Sequence, residues 1–380
     1  MKSWVGCAVL ILSAGGAVGA TAQDLAPEQL FVETLGEPGP HWVLVNDPVY
    51  AMTDTRAYLF DADNGAMLGM ISTGAWRSAV EFAPGFAAIY SPETYYSRGT
   101  RGTRTDVLTI YDTVTLDVTG EIVIPPKRGA GMPIRAYSGI SDDGRFVYIA
   151  NMTPATSISV VDVKTKHVHE IATAGCALTY PVGNRTFLML CGNGTVQRVT
   201  LDANGHLESR AHTRPFFDPE SDPLTEKAAR FGDTWLFVSF DGQVHPVRVR
   251  NDRASPQRGF SLFSEAERNV GWRVGGLQFT AVHEASGRLF VIVHQGEVDG
   301  HKDPGEHVWV YDIAKRTKIA ELALVAPAKS IAVSADDAPL LYAVEGATPA
   351  LLVYDATTGE HQRTIEGPPF NPGLLQPIVP

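Results

Sequence analysis

Short apolar runs follow one another along most of the chain, and Gly, Asp, Asn or Pro closes nearly every one. Such runs are too brief and too β-branched for helices, so the pattern predicts strand after strand. The best helical candidate after the N-terminal region is "SEAERNVGW" from Ser264, where Ser264 and Glu267 stand at capping-box spacing. One unit recurs: a strand ending in an aromatic or apolar residue plus Asp, a turn, and a further strand. It reads "AYLFDADNGAMLGMI" from Ala57, "LTIYDTVTLDVTGEI" from Leu108, "ISVVDVKTKHVHEI" from Ile158, "VWVYDIAKRTKIAEL" from Val308 and "LLVYDATTGEHQRTI" from Leu351. Weaker copies begin at Val196 and Val244. Strand pairs around an Asp/Gly turn precede these units, as in "YSGISDDGRFVYIAN" and "LQFTAVHEASGRLFVIVH".

Four strands per unit at a period of about 50 residues is the pattern of a β-propeller, because one antiparallel sheet cannot bury both faces while sheets stacked in a ring can. The expectation is an all-β, seven-bladed β-propeller over residues 41–380. The aspartate in each unit is read as a turn clamp that accepts backbone N–H groups, and the residue before it as packing between blades. Two sandwich domains would also supply many strands, but not one unit repeated along the chain.

Composition agrees: 44% of residues are hydrophobic, and the 36 glycines and 25 prolines suit many turns. A net charge of −11 opposes binding to phosphate backbones, so no nucleic-acid partner is expected. At the N-terminus a basic start, the apolar run Trp4–Val18 and Ala20-Thr21-Ala22 read as a signal peptide over 1–22 with cleavage before Gln23. An N-terminal arm, 23–40, would link it to the propeller. The run is short for a membrane span, and no later stretch is long enough, so no span is expected. Cys7 beside the apolar run lacks the small-residue motif of a lipoprotein.

Removal of Cys7 leaves Cys176 and Cys191. An exported chain with two cysteines favours pairing them. "CALTYPVGNRTFLMLC" reads as a hairpin around Gly183-Asn184, which sets Cys176 opposite Cys191 and predicts a cross-strand disulfide. A bridge over that length should stabilise by roughly 3 kcal/mol. A metal site at the pair lacks further ligands at suitable spacing.

Signatures of zinc proteases, serine hydrolases, P-loop enzymes and dinucleotide-binding proteins do not occur. His167 and His169 share a strand face, as metal ligands could, although Lys164 and Lys166 mark that strand as an exposed outer one. His294, His301 and His307 stand among Glu297, Asp299, Asp303 and Glu306 in a polar loop that could hold a cation. Asn151, Asn184 and Asn193 begin glycosylation-type triplets and read as turn residues. "YYSRGTRGTRTDV" from Tyr95 carries three arginines and reads as a charge-paired rim loop, with an anion site as the other reading. No metal and no catalytic residue is assigned to this chain.

Several stretches resemble the heavy subunit of the quinoprotein amine dehydrogenases: "YYSRGTRGTRTDV", "IPPKR" from Ile124, "TPATSISVVDV" from Thr153, "LFSEAERNVGWRVGG" from Leu262 and "GHKDPGEHVWVYD" from Gly300. The likeness runs over nearly all the chain after residue 22. "IPPKR", "TPATSISVVDV" and "GHKDPGEHVWVYD" look more like the aromatic amine branch than the methylamine branch. The resemblance implies a seven-bladed propeller and a periplasmic heterotetramer of two heavy and two light subunits. Such a complex deaminates a primary amine to aldehyde and ammonia and passes electrons to a cupredoxin such as azurin or amicyanin. The family's tryptophan tryptophylquinone and catalytic base lie in the light subunit, so this chain would be a scaffold with no cofactor of its own. An aromatic residue, usually Phe, follows the family's "GM(I/V)" strand and lines the substrate channel. Here "LGMISTGAWRS" puts Trp76 at that position, a departure that would reshape the channel; packing at a blade edge is the other reading. A self-sufficient periplasmic propeller enzyme of lactonase or hydrolase type, or a binding propeller, remains the alternative.

Overall fold

The structure, a computed structural model, describes residues 33–48, 53–76, 79–129, 131–367 and 369–380. The signal peptide expected over 1–22 lies outside the described residues, as does all of the arm before Glu33. The remainder of the arm is irregular, with the Leu35 N–H donated to the Val114 carbonyl at 2.8 Å.

Strands dominate, and their burial follows their rank within each sheet. In one sheet the middle strands Phe146–Asn151 and Ser157–Asp162 are buried on both faces, while the outermost, His167–Ala172, is largely exposed. That is why the middle strands are mostly apolar, with small polar residues such as Ser157 and Ser159 among them, and the outer ones polar. The core lies in layers between neighbouring sheets. Leu108 and Ile122 of one sheet meet Val147 and Ile149 of the next, and the Tyr148 and Phe187 rings stand 4.7 Å apart across another gap.

The chain closes its ring with its two ends. Leu374–Pro377 pairs antiparallel with Trp42–Asp47, and Thr55–Asp61 and Ala66–Gly74 complete that sheet. Sheets beginning at Glu81, Ser138, Cys176 and Ala229 follow in sequence.

The propeller class stands, but the count of seven separate blades is corrected. The described residues form five discrete sheets of four or five strands and one sheet of eight. The cause is Thr317–Val333, a strand of 17 residues without a break. Its first part pairs with Gly305–Asp312 and its last part with Leu340–Glu345, and Ala328 pairs with both Gly305 and Glu345. The repeat units begun at Val308 and Leu351 therefore share one hydrogen-bonded sheet. A sequence period counts repeats; it does not register whether the ladder between two repeats is interrupted.

Local expectations hold closely. Ser264 and Glu267 form the reciprocal capping box of the helix Glu265–Asn269. Cys176 pairs with Cys191 and the disulfide is formed. Its register is reached by compensation: Val182 pairs with Thr186 around a three-residue turn, and a bulge at Leu178, φ 68°, restores the alignment at the cysteines.

Candidate functional site

Alternating strand directions give the ring two unlike ends. The first-to-second and third-to-fourth strand turns leave from one end, the turn end. The second-to-third strand connections and the links between sheets leave from the other, the loop end.

The turn end repeats one device. Asp112 accepts the N–H groups of Val114 and Thr115, both at 2.8 Å, and Asp355 those of Thr357 and Thr358 at 2.8 and 2.7 Å. Asp61, Asp162, Asp202 and Asp312 accept turn N–H groups in the same way. Backbone N–H donation holds the carboxyls of Asp112, Asp202, Asp312 and Asp355 below the ordinary carboxylate value. The preceding tyrosines do more than pack. Tyr111 donates its hydroxyl to the Ser72 carbonyl of the previous sheet at 2.6 Å, Tyr311 donates to Leu262 O at 2.7 Å, and Tyr354 accepts from Val325 N at 3.0 Å.

The loop end gathers the less regular segments, and Trp76 stands there. It follows the strand Ala66–Gly74, is half-buried, and has a left-handed backbone with φ 69°. Gly74, φ 66°, docks the strand end on its neighbour: a Cβ there would lie 3.0 Å from Glu93 Cβ and 3.2 Å from the Thr94 backbone. The Ala75 N–H then bonds to Thr94 O at 2.9 Å.

Arg128, 3% exposed, clamps this turn. Its Nη2 donates to Ala75 O at 2.7 Å, and Nη1 and Nη2 reach Trp76 O at 3.2 and 3.3 Å. Burial pushes its pKa down to about 10, while Asp106 and Glu93 favour the charged form. Asp106 is fully buried and accepts from Arg104 Nε at 2.7 Å, Arg104 Nη2 at 2.6 Å, Thr94 Oγ1 at 3.0 Å and Arg128 N at 3.3 Å. Arg104 Nη2 also donates to Arg128 O. Beneath lies Glu93, with no exposed surface, which accepts from Tyr95 and Thr109 and lies 3.1 Å from the Tyr111 hydroxyl. Desolvation raises its pKa.

"YYSRGTRGTRTDV" and "IPPKR" thus meet behind Trp76. Among the described residues only Arg104 of the three loop arginines is ion-paired; Arg98 and Arg101 sit on an exposed turn closed by Arg98 N–H to Arg101 O at 2.9 Å. The charge-paired loop is therefore paired at its base and not at its tip. Sequence reasoning passed over Arg128, Asp106 and Glu93. The available signal was parity: Glu93 and Asp106 occupy inward positions, in step with Ile89 and Leu108 on their strands.

The histidines are not brought together. His294 is buried with Nε2 2.9 Å from Gly300 O, His301 stacks on Phe240 at 3.8 Å, and His307 meets the Trp272 ring edge. Burial, then Lys227 and Lys302, lower the His301 pKa. His167 and His169 lie on an outermost strand, and the His169 ring stands 4.0 Å from that of His206. Among the described residues the one group with metal-ligand spacing is Cys176, Cys191 and His212, whose sulfurs are spent on the disulfide. Asn184 and Asn193 are exposed turn residues, but Asn151 is a buried strand end bonded to Ser157 and Ser159. No helix among the described residues is long and apolar enough to cross a membrane.

A family model described as methylamine dehydrogenase heavy chain matches residues 40–375. The methylamine dehydrogenase heavy chain of Methylophilus methylotrophus is 28% identical over 328 residues, covering 85% of this chain and 80% of that one. The heavy chain from Paracoccus versutus is 28% identical over 335 residues, with coverages of 87% and 77%. That from Methylobacillus flagellatus is 26% identical, with coverages of 85% and 81%. Among solved structures, a protein of unknown function from Desulfotomaculum acetoxidans gives a TM-score of 0.58 at 13% identity, covering 87% of this chain and 97% of that one. The β-propeller domain of Myceliophthora thermophila Cps50 (Swd1) gives 0.56 at 9% identity, with coverages of 86% and 96%. At those identities the likeness concerns the fold alone.

Proposed function

Since the chain belongs to the methylamine dehydrogenase heavy chain family, and is thus a heavy subunit of a quinoprotein amine dehydrogenase, we propose that its loop end seats a light subunit and shapes the path of a primary amine to it. The observation that carries this reading is the Arg128 clamp. It fixes the half-buried Trp76, the residue that the motif resemblance assigns to the channel, in one backbone geometry. The side chain placed there sets how much room an amine has.

The light subunit would carry tryptophan tryptophylquinone and the catalytic base, and the quinone supplies the two-electron oxidation of the amine. This chain's residues bind and orient: Arg128 holds the Ala75 and Trp76 carbonyls, Asp106 holds Arg128, and Trp76 excludes water and bulk from the path. The proposed complex is a periplasmic heterotetramer of two heavy and two light subunits, with a cupredoxin of azurin or amicyanin type as electron acceptor. We assign an aromatic amine as substrate on the motif resemblance and on the ring that Trp76 offers for stacking. The relatives' names point instead to methylamine.

The test is purification from the native host with amine-dependent dye reduction. A small quinone-bearing chain should accompany this one, with turnover of benzylamine or tyramine above that of methylamine. Preference for methylamine would overturn the substrate assignment. A chain that emerges alone and without amine turnover would overturn the whole reading.

A further inference from the structure

The ring axis holds a cavity of about 280 Å³, walled by residues of the innermost strand of every sheet. That volume lies just under the usual range of ligand cavities, about 300 Å³ and upward, and so suits only a small molecule. Its wall is mixed. Ile134, Ile140, Tyr180, Trp235 and Leu374 give an apolar surface, and Glu81, Arg135, Glu226, Lys227 and Arg230 bring charge.

Most of that charge is spent. Glu81, 1% exposed, takes both ends of the Arg135 fork, Nη1 at 2.5 Å and Nη2 at 2.8 Å, and the Ser138 hydroxyl at 2.6 Å. Arg230 is bidentate to Asp142 at 2.5 and 2.7 Å. Lys227 donates to Gly276 O at 2.7 Å and His301 O at 3.0 Å, with the Glu226 charge nearby. The Trp235 indole donates to Pro181 O, and the Tyr180 hydroxyl to Glu226 O. Arg135 differs. Two of its five N–H donors are used, the remainder have no partner among the described residues, and 41% of its side chain is accessible in the half-open cavity it lines. Glu81 fixes the guanidinium plane from one side and leaves the other edge open. A fixed guanidinium edge is the geometry that takes a planar carboxylate.

We propose that this axial cavity is a binding site for a small organic carboxylate, with its carboxylate on the open edge of Arg135 and its apolar body against Ile134, Tyr180 and Trp235. The site is separate from the turn that carries Trp76 and does not depend on the function proposed above.

The probe is benzoate, titrated into the protein as purified from its native host, alone or in its complex, and followed by calorimetry, with benzyl alcohol as the uncharged control. Benzoate should bind saturably, and benzyl alcohol should bind at least about tenfold more weakly. Arg135→Lys keeps a cation on Glu81 but removes the planar edge, and should weaken benzoate about tenfold or more. Ile140→Trp, which fills the cavity without touching Arg135, should abolish binding, so the test stands even where the arginine variant folds poorly. Absence of saturable benzoate binding to the native protein overturns the proposal. So does unchanged affinity in both variants, or binding that Trp76→Ala removes while Ile140→Trp leaves it intact.

Discussion

The two ends of the ring solve different problems with the same strands. At the turn end a carboxylate binds N–H groups two and three residues on, the chain bends within its own unit, and a tyrosine ties the unit to its neighbour. At the loop end, around Trp76, that device is absent from the described residues. Arg104, Asp106, Arg128 and the Trp76 turn come from two sheets and the links between them, and each closes a contact the others lack. Repetition builds the scaffold, and the exceptions to it position the side chain that faces the proposed amine path.

The loop-end network should therefore be the more fragile. Arg128→Ala removes the positive charge near buried Asp106 and leaves the Ala75 and Trp76 carbonyls without their cation, and should cost about 3–5 kcal/mol in denaturant unfolding. If the loss is below that of a turn-end variant, the clamp is not the keystone of the loop end. Asp355→Ala removes the one oxygen that accepts two turn N–H groups and should cost about 1 kcal/mol, leaving amine turnover unchanged. A change in turnover would blur the division between the ends.

The ends also titrate in opposite senses. Carboxyls of the turn aspartates lie below their ordinary value, so their contribution is complete above that value and is lost as pH falls through the folded-state pKa values. Glu93 lies above its ordinary value, so its contribution is complete at pH below that value and is lost as pH rises through the folded-state pKa. Glu93→Gln should remove the second dependence and keep the first, as read from melting temperature against pH. The smallest effect expected is at Arg316, which adopts φ 60° where Gly359 serves in another unit. Arg316→Gly should stabilise by about 0.5 kcal/mol, the relief of left-handed strain less the added chain entropy.

How far the sequence showed these features depends on their range. The Asp turns, the capping box at Ser264 and the Cys176–Cys191 pairing were legible because each is set within a few residues or one hairpin. The union of two repeats through Thr317–Val333 was not, since no Gly or Asp punctuation tells a shared ladder from two adjacent ones. The clamp was half legible. "IPPKR" and the arginine stretch marked the family, but the reach of Arg128 to the Ala75 and Trp76 carbonyls joins residues 53 and 52 positions apart in sequence. Arg135 carried no signal at all, because its open edge exists only once Glu81 occupies the other.

Substrate selection is the property that depends most directly on the side chain at position 76. In the assembled complex, the ratio of kcat/KM for benzylamine to that for methylamine should shift about tenfold or more when Trp76 is replaced by Ala, with the heavy chain's unfolding midpoint little changed. A ratio that stays fixed while both amines are still turned over would contradict the claim that the loop end of this propeller shapes the amine path.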